Sequence, residues 1–321
     1  MYMTEAEGIL QLQNFFGINP VYSRTVFDLA DKTNLIEDAT KIIAERPKPF
    51  VKWVGGKRQL LKQFRDLNLY PPHDFNPVKN TYFEPFVGGG AVFLDLLPKK
   101  AVLSDLNLEL ITTYKVVKND VNKLIKLLKT YKYDKDFFMK IRSKSTKDLS
   151  DIQIAAKFIY LNRTCFNGLY RVNSKGEFNV PFGSYSNPLI CDEDNLKKIL
   201  PALKNVKIYN EDYKNVLQRA QKGDFIYFDP PYYPVNRTSS FTGYTTEGFF
   251  EKEQTELRDL FVELHKRGCF VMLSNSDTQF INQLYSNLNK KIRIHKIEAN
   301  RNINSKASGR GKIKEVLIIN Y

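Results

Sequence analysis

The spacing of apolar residues changes several times along the chain, and the changes divide it. Glu5–Phe16 and Leu35–Ala44 carry apolar positions at helical spacing and are closed by the breaker Pro47-Lys48-Pro49. A helical stretch from Lys52 to about Leu67 precedes a proline-rich loop over Pro71 to Pro77. Tyr82–Phe86 then reads as a strand, Val87–Gly90 as a glycine turn, Ala91–Leu97 as a helix and Ala101–Asp105 as a second strand, which is one βαβ unit.

After that unit the period lengthens. Leu108–Tyr131 is helical, with Val121, Leu124, Ile125 and Leu128 on one face and Lys123, Lys126 and Lys129 off it. More helix is predicted at Lys135–Ser143 and Ile152–Leu161. Between Asn162 and Asn187 the turn signals Asn167-Gly168, Ser174-Lys175-Gly176 and Pro181-Phe182-Gly183 punctuate short aromatic runs, as in a hairpin. Strands return at Val206–Asn210, Asp224–Asp229, Cys269–Ser274, Ile292–Ile297 and Val316–Asn320. Between them lie a helix at Lys214–Ala220, a long loop from Pro230 to Gly248, and a helix with Leu257, Leu260, Phe261 and Leu264 on one face. The predicted fold class is α/β, divided into an appended segment 1–46, a catalytic domain made of 47–115 and 192–321, and an inserted helical plus β-hairpin module at 116–191.

A length of 321 residues suits two domains, and 42% hydrophobic with 26% charged residues excludes a disordered chain. The longest apolar runs, Phe270–Leu273 and Val316–Ile319, fall far short of the roughly 18 residues a membrane span needs, and the acidic start has no apolar signal core, so a cytoplasmic protein with no membrane partner is expected. Cys165, Cys191 and Cys269 are too scattered for a disulfide framework, and His73, His265 and His295 form no ligand pair, so no metal is expected. The 49 basic and 35 acidic residues give +14. Such a surplus favours a polyanion through counterion release, although a lysine-rich surface alone has the same composition. Residues 1–46 hold four basic and seven acidic side chains, so the remainder carries +17.

Two motifs bear chemistry. Glycines in Glu84-Pro85-Phe86-Val87-Gly88-Gly89-Gly90 let a ligand approach the backbone ahead of helix N–H groups, and Gly88 and Gly90 are the candidate contacts. Phe93 stands where the dinucleotide fingerprint needs its last Gly, and Gly55-Gly56-Lys57-Arg58 lacks the hydroxyl residue of a triphosphate loop, which disfavours NAD and ATP. Asp105 ends the next strand, where a carboxylate accepts ribose hydroxyls or caps the following helix. Asp229-Pro230-Pro231-Tyr232 follows the apolar strand Phe225–Phe228. An adenine N6 amine is a poor nucleophile because its lone pair is delocalised. Hydrogen bonds to the Asp229 carboxylate and the Pro230 carbonyl would draw it towards tetrahedral geometry, while Tyr232 stacks on the base.

The order Lys52-Trp53-x-Gly-Gly-Lys57, Glu84 to Gly90, Ser104-Asp105-x-Asn107, Tyr160-Leu-Asn-Arg163, Phe166-Asn-Gly168, Gly176 to Gly183 and Asp229 to Tyr232 resembles the Dam/DpnII type (D12 class, alpha group) of DNA adenine N6-methyltransferases, from about Pro49 to Asn320. The resemblance implies a Rossmann-like sheet that binds S-adenosylmethionine, and an inserted target-recognition domain. Trp53, Lys57, Asp105 and Asp229 match cofactor-contacting positions, with Asp212 a further candidate at the adenine end. Lys52, Arg163, Phe166, Asn167, Leu169, Arg171 and Pro181 match DNA-binding positions. Phe166 and Asn167 stand at the duplex wedge, and Leu169, Arg171 and Pro181 at base-reading places of the hairpin. Arg171 has the fork to read guanine and Leu169 the surface for a thymine methyl. The implied activity is methylation of adenine N6 in double-stranded DNA at GATC, by base flipping and direct transfer without metal. A monomer is expected, and the biological role stays open between protection from a cognate restriction endonuclease, marking of DNA for repair, and service to a phage. Phe166 replaces the family's more familiar Tyr, and Ser184 stands where some relatives have Arg. Methylation of RNA or of a protein amide, and a catalytically silent DNA-binding regulator, are the competing functions.

Overall fold

Successive strand residues enter two different cores. Tyr82, Leu103, Phe225, Tyr227 and Met272 pack on one side, and Phe83, Val102, Ile226, Phe228, Val271 and Leu273 on the other, the alternation of a sheet covered on both faces. The computed structural model describes residues 4–16, 20–44, 46–53, 55–235, 249–300 and 312–321. Its strands are β1 (Tyr82–Glu84), β2 (Ala101–Asp105), β3 (Val206–Asn210), β4 (Phe225–Phe228), β5 (Phe270–Ser276), β6 (Arg293–Asn300) and β7 (Lys312–Ile319). They lie in the order β3-β2-β1-β4-β5-β7-β6, with β7 antiparallel to both its neighbours and the other pairs parallel. The chain leaves β1 towards β2 on one side and meets β4 on the other. The mouth above β1 and β4 is therefore the switch point at which open α/β sheets bind ligands.

The helices are α1 (Glu5–Phe16), α2 (Pro20–Leu29), α3 (Leu35–Ala44), α4 (Arg58–Asp66), α5 (Ala91–Leu96), α6 (Leu108–Asn119), α7 (Val121–Leu128), α8 (Lys135–Arg142), α9 (Asp151–Thr164), α10 (Glu193–Leu203), α11 (Glu251–Arg267) and α12 (Gln279–Tyr285). Apolar residues of α4 to α7, α9 and α10 complete the first core, and those of α11 and α12 the second. Phe138, Ile141, Tyr160, Leu161, Cys165, Phe178 and Val180 form a smaller core under the inserted segment. The first three helices have their own, built from Leu12, Val26, Ala30, Leu35 and Ala39. They are tied down by Lys99–Asp28 at 3.6 Å and by Arg46 on Asp95 at 2.8 Å, where Arg65 also binds. Lys99 immediately precedes β2, so this extension sits at the amino-terminal end of the sheet, opposite the mouth. No helix among the described residues is long and apolar enough to cross a membrane.

Several elements differ from the sequence expectation. The helix expected from Lys52 begins only at Arg58, after an irregular segment that reaches the inserted module. The helix expected over Leu108–Tyr131 is two, broken at Asp120, whose φ of −135° is incompatible with a continuous helix. Lys214–Ala220 is instead a 3₁₀ turn over Tyr213–Gln218. The hairpin is irregular, held by the isolated bridges Cys165↔Phe182 and Val172↔Phe178 and by the Asn179 N–H on the Arg171 carbonyl. Helices α2, α10 and α12 were not anticipated. The loop after Val235 lies outside the described residues up to 248.

Helix α9 carries much of the inserted module and starts with a reciprocal cap. Ser150 Oγ accepts the Gln153 N–H, and Gln153 Oε1 accepts the Ser150 N–H. Ser150→Ala should cost about 1 kcal/mol, seen as a lower urea midpoint at unchanged slope; an unchanged midpoint would show that the cap is idle.

Candidate active site

Three strands end at the mouth, and each delivers one piece of it. From β1 comes the loop Val87–Gly90. Gly88 and Gly90 have φ of +45° and +66°, and Gly90 precedes the first residue of α5. A Cβ on Gly88 would stand 2.6 Å from the Trp53 ring and one on Gly90 2.6 Å from the Tyr114 hydroxyl, so both positive φ and close packing demand glycine. Tyr114 also donates to the Gly88 carbonyl at 3.1 Å. From β2 comes Asp105, whose carboxylate accepts the N–H groups of Gly88 at 3.1 Å and Asn107 at 2.9 Å. Asn107, not Asp105, caps α6, its Oδ1 accepting the Leu110 N–H. Burial raises the Asp105 carboxyl to about 6 against these hydrogen bonds.

From β4 comes Asp229. Its Oδ1 lies 2.8 Å from Lys57 Nζ, a lysine only 3% exposed, which also donates to the Gly55 carbonyl and lies 4.9 Å from the centre of the Tyr232 ring. Burial raises the Asp229 carboxyl to about 6, and Lys57 opposes that rise. The loop beyond is held at several points. Gln254 of α11 donates to the Pro231 carbonyl at 3.0 Å and accepts from Asn275 Nδ2. Asn275 Oδ1 accepts the Tyr233 N–H, Ser276 Oγ donates to the Tyr233 carbonyl, and Tyr232 donates to Glu315 on β7 at 2.7 Å. The Pro230 carbonyl accepts no hydrogen bond among the described residues. The loop thus carries, on successive residues of a fixed backbone, a carboxylate paired with Lys57 and a carbonyl with no hydrogen bond among the described residues.

Asp212, at the end of β3, accepts the Lys214 N–H at 2.8 Å, and its strand neighbours Asp105 through the pairing with Asn210. Trp53 lies between the glycine loop and the inserted module, stacked on Tyr170 at 5.8 Å and Phe158 at 6.4 Å. Among the module's candidates, Phe166, Asn167, Arg171 and Pro181 are exposed and Leu169 is half-buried. Arg171 Nε donates to Asn179 Oδ1 at 2.7 Å, and Lys52 Nζ lies over the Tyr185 ring. Arg163 does not join this exposed group. It is half-buried and donates to the Phe50 carbonyl at 2.9 Å, and burial lowers its pKa.

Glu84, Gln254, Asn275, Ser276 and Glu315 were missed as site residues. Glu84 heads the glycine motif and could have been found there. The other four sit far along the chain from Asp229 and carry no local signature.

A family model described as D12 class N6 adenine-specific DNA methyltransferase matches residues 53–303. A Type II methyltransferase, M1.LlaDCHI of Lactococcus lactis subsp. cremoris, is 46% identical over 283 residues, spanning 85% of this chain and 95% of its own. A second, M.MjaIII of Methanocaldococcus jannaschii, is 46% identical over 292 residues, spanning 85% and 99%. The DNA adenine methylase of Escherichia coli K12 is 32% identical over 279 residues, spanning 86% and 96%.

Glu84 is 2% exposed and accepts the Tyr82 hydroxyl at 2.8 Å and the Phe93 N–H at 3.0 Å. Burial lifts its carboxyl from 4.5 to about 8. A folded-state pKa above the unfolded one means the folded chain holds the proton longer, so this group's stabilisation is complete below 4.5 and is lost as pH rises towards 8. Glu84→Gln, which keeps the acceptor and carries no charge, should flatten the fall in stability across that window in urea titrations; an unaltered slope would refute it.

Proposed function

Because the chain belongs to the D12 class of N6 adenine-specific DNA methyltransferases, we propose that it methylates adenine within GATC in duplex DNA, with the target base taken out of the helix. The observation that carries the proposal is the fixed pair of acceptors, the Asp229 carboxylate and the Pro230 carbonyl, at the mouth above β4. The two N6–H groups of adenine match them, and both hydrogen bonds pull the nitrogen lone pair out of the ring. Tyr232, its hydroxyl anchored on Glu315 and its ring part exposed, offers a stacking face. So held, N6 would be aligned to accept a methyl group in line from a sulfonium donor, whose sulfur would keep the electron pair of its broken C–S bond, and the acidic ammonium-like product would release its proton to solvent.

The family implies S-adenosylmethionine as methyl donor, and the residues at the mouth fit it. Asp105 is a half-buried carboxylate at the strand end, held by the N–H groups of Gly88 and Asn107, and a carboxylate so placed suits ribose hydroxyls. Trp53, Lys57, Gly88, Gly90, Asp212 and Asp229 would complete its seat. Bound, the donor supplies a sulfonium methyl, an electrophile that needs no further activation.

DNA would be met by the positively charged remainder of the chain, with Phe166 and Asn167 at the wedge and Lys52, Leu169, Arg171 and Pro181 towards bases. With Nε held by Asn179, Arg171 keeps its two terminal nitrogens for guanine O6 and N7. Arg163 is better placed as a strut between the segment at Phe50 and α9. The Type II names of two relatives favour a place beside a restriction endonuclease of matching specificity.

DNA from cells expressing the protein should resist an endonuclease blocked by methylated GATC and be cut by one that requires it. Asp229→Ala should reverse both patterns, with methyl transfer slowed about 100-fold or more. Normal protection by that variant would refute the role of Asp229, and protection of a different sequence would refute GATC.

A further inference from the structure

Asn162 of α9 is fully buried, yet every function of its amide is engaged outside its own helix. Oδ1 accepts the Lys52 N–H at 2.7 Å, and Nδ2 donates to the Lys52 carbonyl at 2.8 Å and to the Gly168 carbonyl at 3.0 Å. One side chain thus grips both sides of one residue of the segment at the mouth and the buried end, Gly168, of the turn that exposes Phe166 and Asn167. The grip is tight. Gly168 has φ +64°, and a Cβ there would stand 2.3 Å from Lys52 Cδ, so the lysine stem lies directly on the turn. The ammonium at its end rests 4.6 Å from the centre of the Tyr185 ring, whose hydroxyl donates back to the Cys165 carbonyl at 2.9 Å. The next residue, Trp53, packs on Gly88.

We infer that Asn162 is a positioning residue for sequence discrimination, holding the Lys52 side chain and the Phe166–Gly168 turn in one register so that base contact and duplex wedge act together. This rests on the proposed DNA contacts of Lys52 and Phe166. A buried amide with three partners admits no shift of one without the other, because a broken bond would leave a polar group unpaired away from water. Truncation frees the Lys52 backbone from the Gly168 end of the turn, so the lysine stem loses its fixed register on that turn and the lost quantity is discrimination between sites. No bond of Asn162 reaches the Asp229 loop itself, so the loss should fall mainly on discrimination and less on the chemical step.

The test is a double-mutant cycle of Asn162→Ala and Lys52→Ala in the full-length protein. Methyl transfer is measured on a duplex carrying the site the wild type methylates and on duplexes with one base pair of it changed. Donor affinity is measured separately by equilibrium dialysis with labelled S-adenosylmethionine. Asn162→Ala should lower the ratio of cognate to altered kcat/KM about tenfold. Most of the cognate loss should fall in KM, with kcat and donor affinity near wild type, and the double variant should discriminate no worse than Lys52→Ala alone. A ratio unchanged while overall activity and thermal stability fall would reduce Asn162 to a structural role, and additive effects in the cycle would sever it from Lys52. Should Asn162→Ala not fold, Asn162→Asp keeps the volume and the acceptor, loses both donors, and carries the same expectations. A wild-type protein that methylates duplex adenine outside GATC refutes GATC alone, and the cycle then runs on the site found. One that methylates no duplex refutes the proposed function and the inference with it.

Discussion

A carboxylate removed from water must gain a cation or take up a proton. Asp229 gains Lys57, at 2.8 Å, and the rest of the site is arranged around that contact. The lysine is itself almost wholly enclosed, so neither charge is tolerable without the other, and the pair locks the segment before α4 to the loop after β4. The opposing pulls on Asp229 leave its carboxyl at about 6, low enough to stay ionised near neutrality and high enough to be a competent hydrogen-bond acceptor. Glu84, without a cation of its own in hydrogen-bond contact, is pushed further, to about 8. Two acids at the mouth are thereby kept in different states by their surroundings.

Around this pair the sheet acts as a fixture. Adjacent ends of β2, β1 and β4 bring Asp105, the glycine loop and Asp229 to one rim. The backing of the Asp229 loop comes from α11, β5 and β7, through Gln254, Asn275, Ser276 and Glu315. Trp53 then links the rim to the inserted module by packing on Gly88 and Tyr170. The glycine loop, the Asp229 loop and the inserted module are therefore joined through the Lys52–Lys57 segment and do not sit as separable parts. The three-helix extension stands apart from all of this, at the other end of the sheet.

What could be read from the sequence is what local chemistry dictates. Glycines with positive φ, a carboxylate at a strand end and a proline-stiffened turn declare their conformations within a few residues, so the βαβ unit and the Asp229 loop were legible. Glu315 was not, because its approach to Tyr232 depends on the register of β7 beside β5, set by residues far from either. Gln254 was hidden for a related reason, being one polar residue on the buried face of an otherwise ordinary amphipathic helix. The break at Asp120 escaped notice because apolar spacing continues through it, and α10 because Pro201 lies within it. Arg163, expected among the DNA-facing residues, lies half-buried and turns inward to the Phe50 carbonyl, a direction that its neighbours in the sequence do not announce.

The most direct test of the central ion pair is a carbon-13 NMR titration of the Asp229 carboxyl in the wild type and in Lys57→Met. The account predicts a midpoint of about 6 in the wild type and a clearly higher one in the variant, because the lysine is what holds it down. Coincident midpoints, or a wild-type value at the ordinary aspartate position of 3.8, would contradict it.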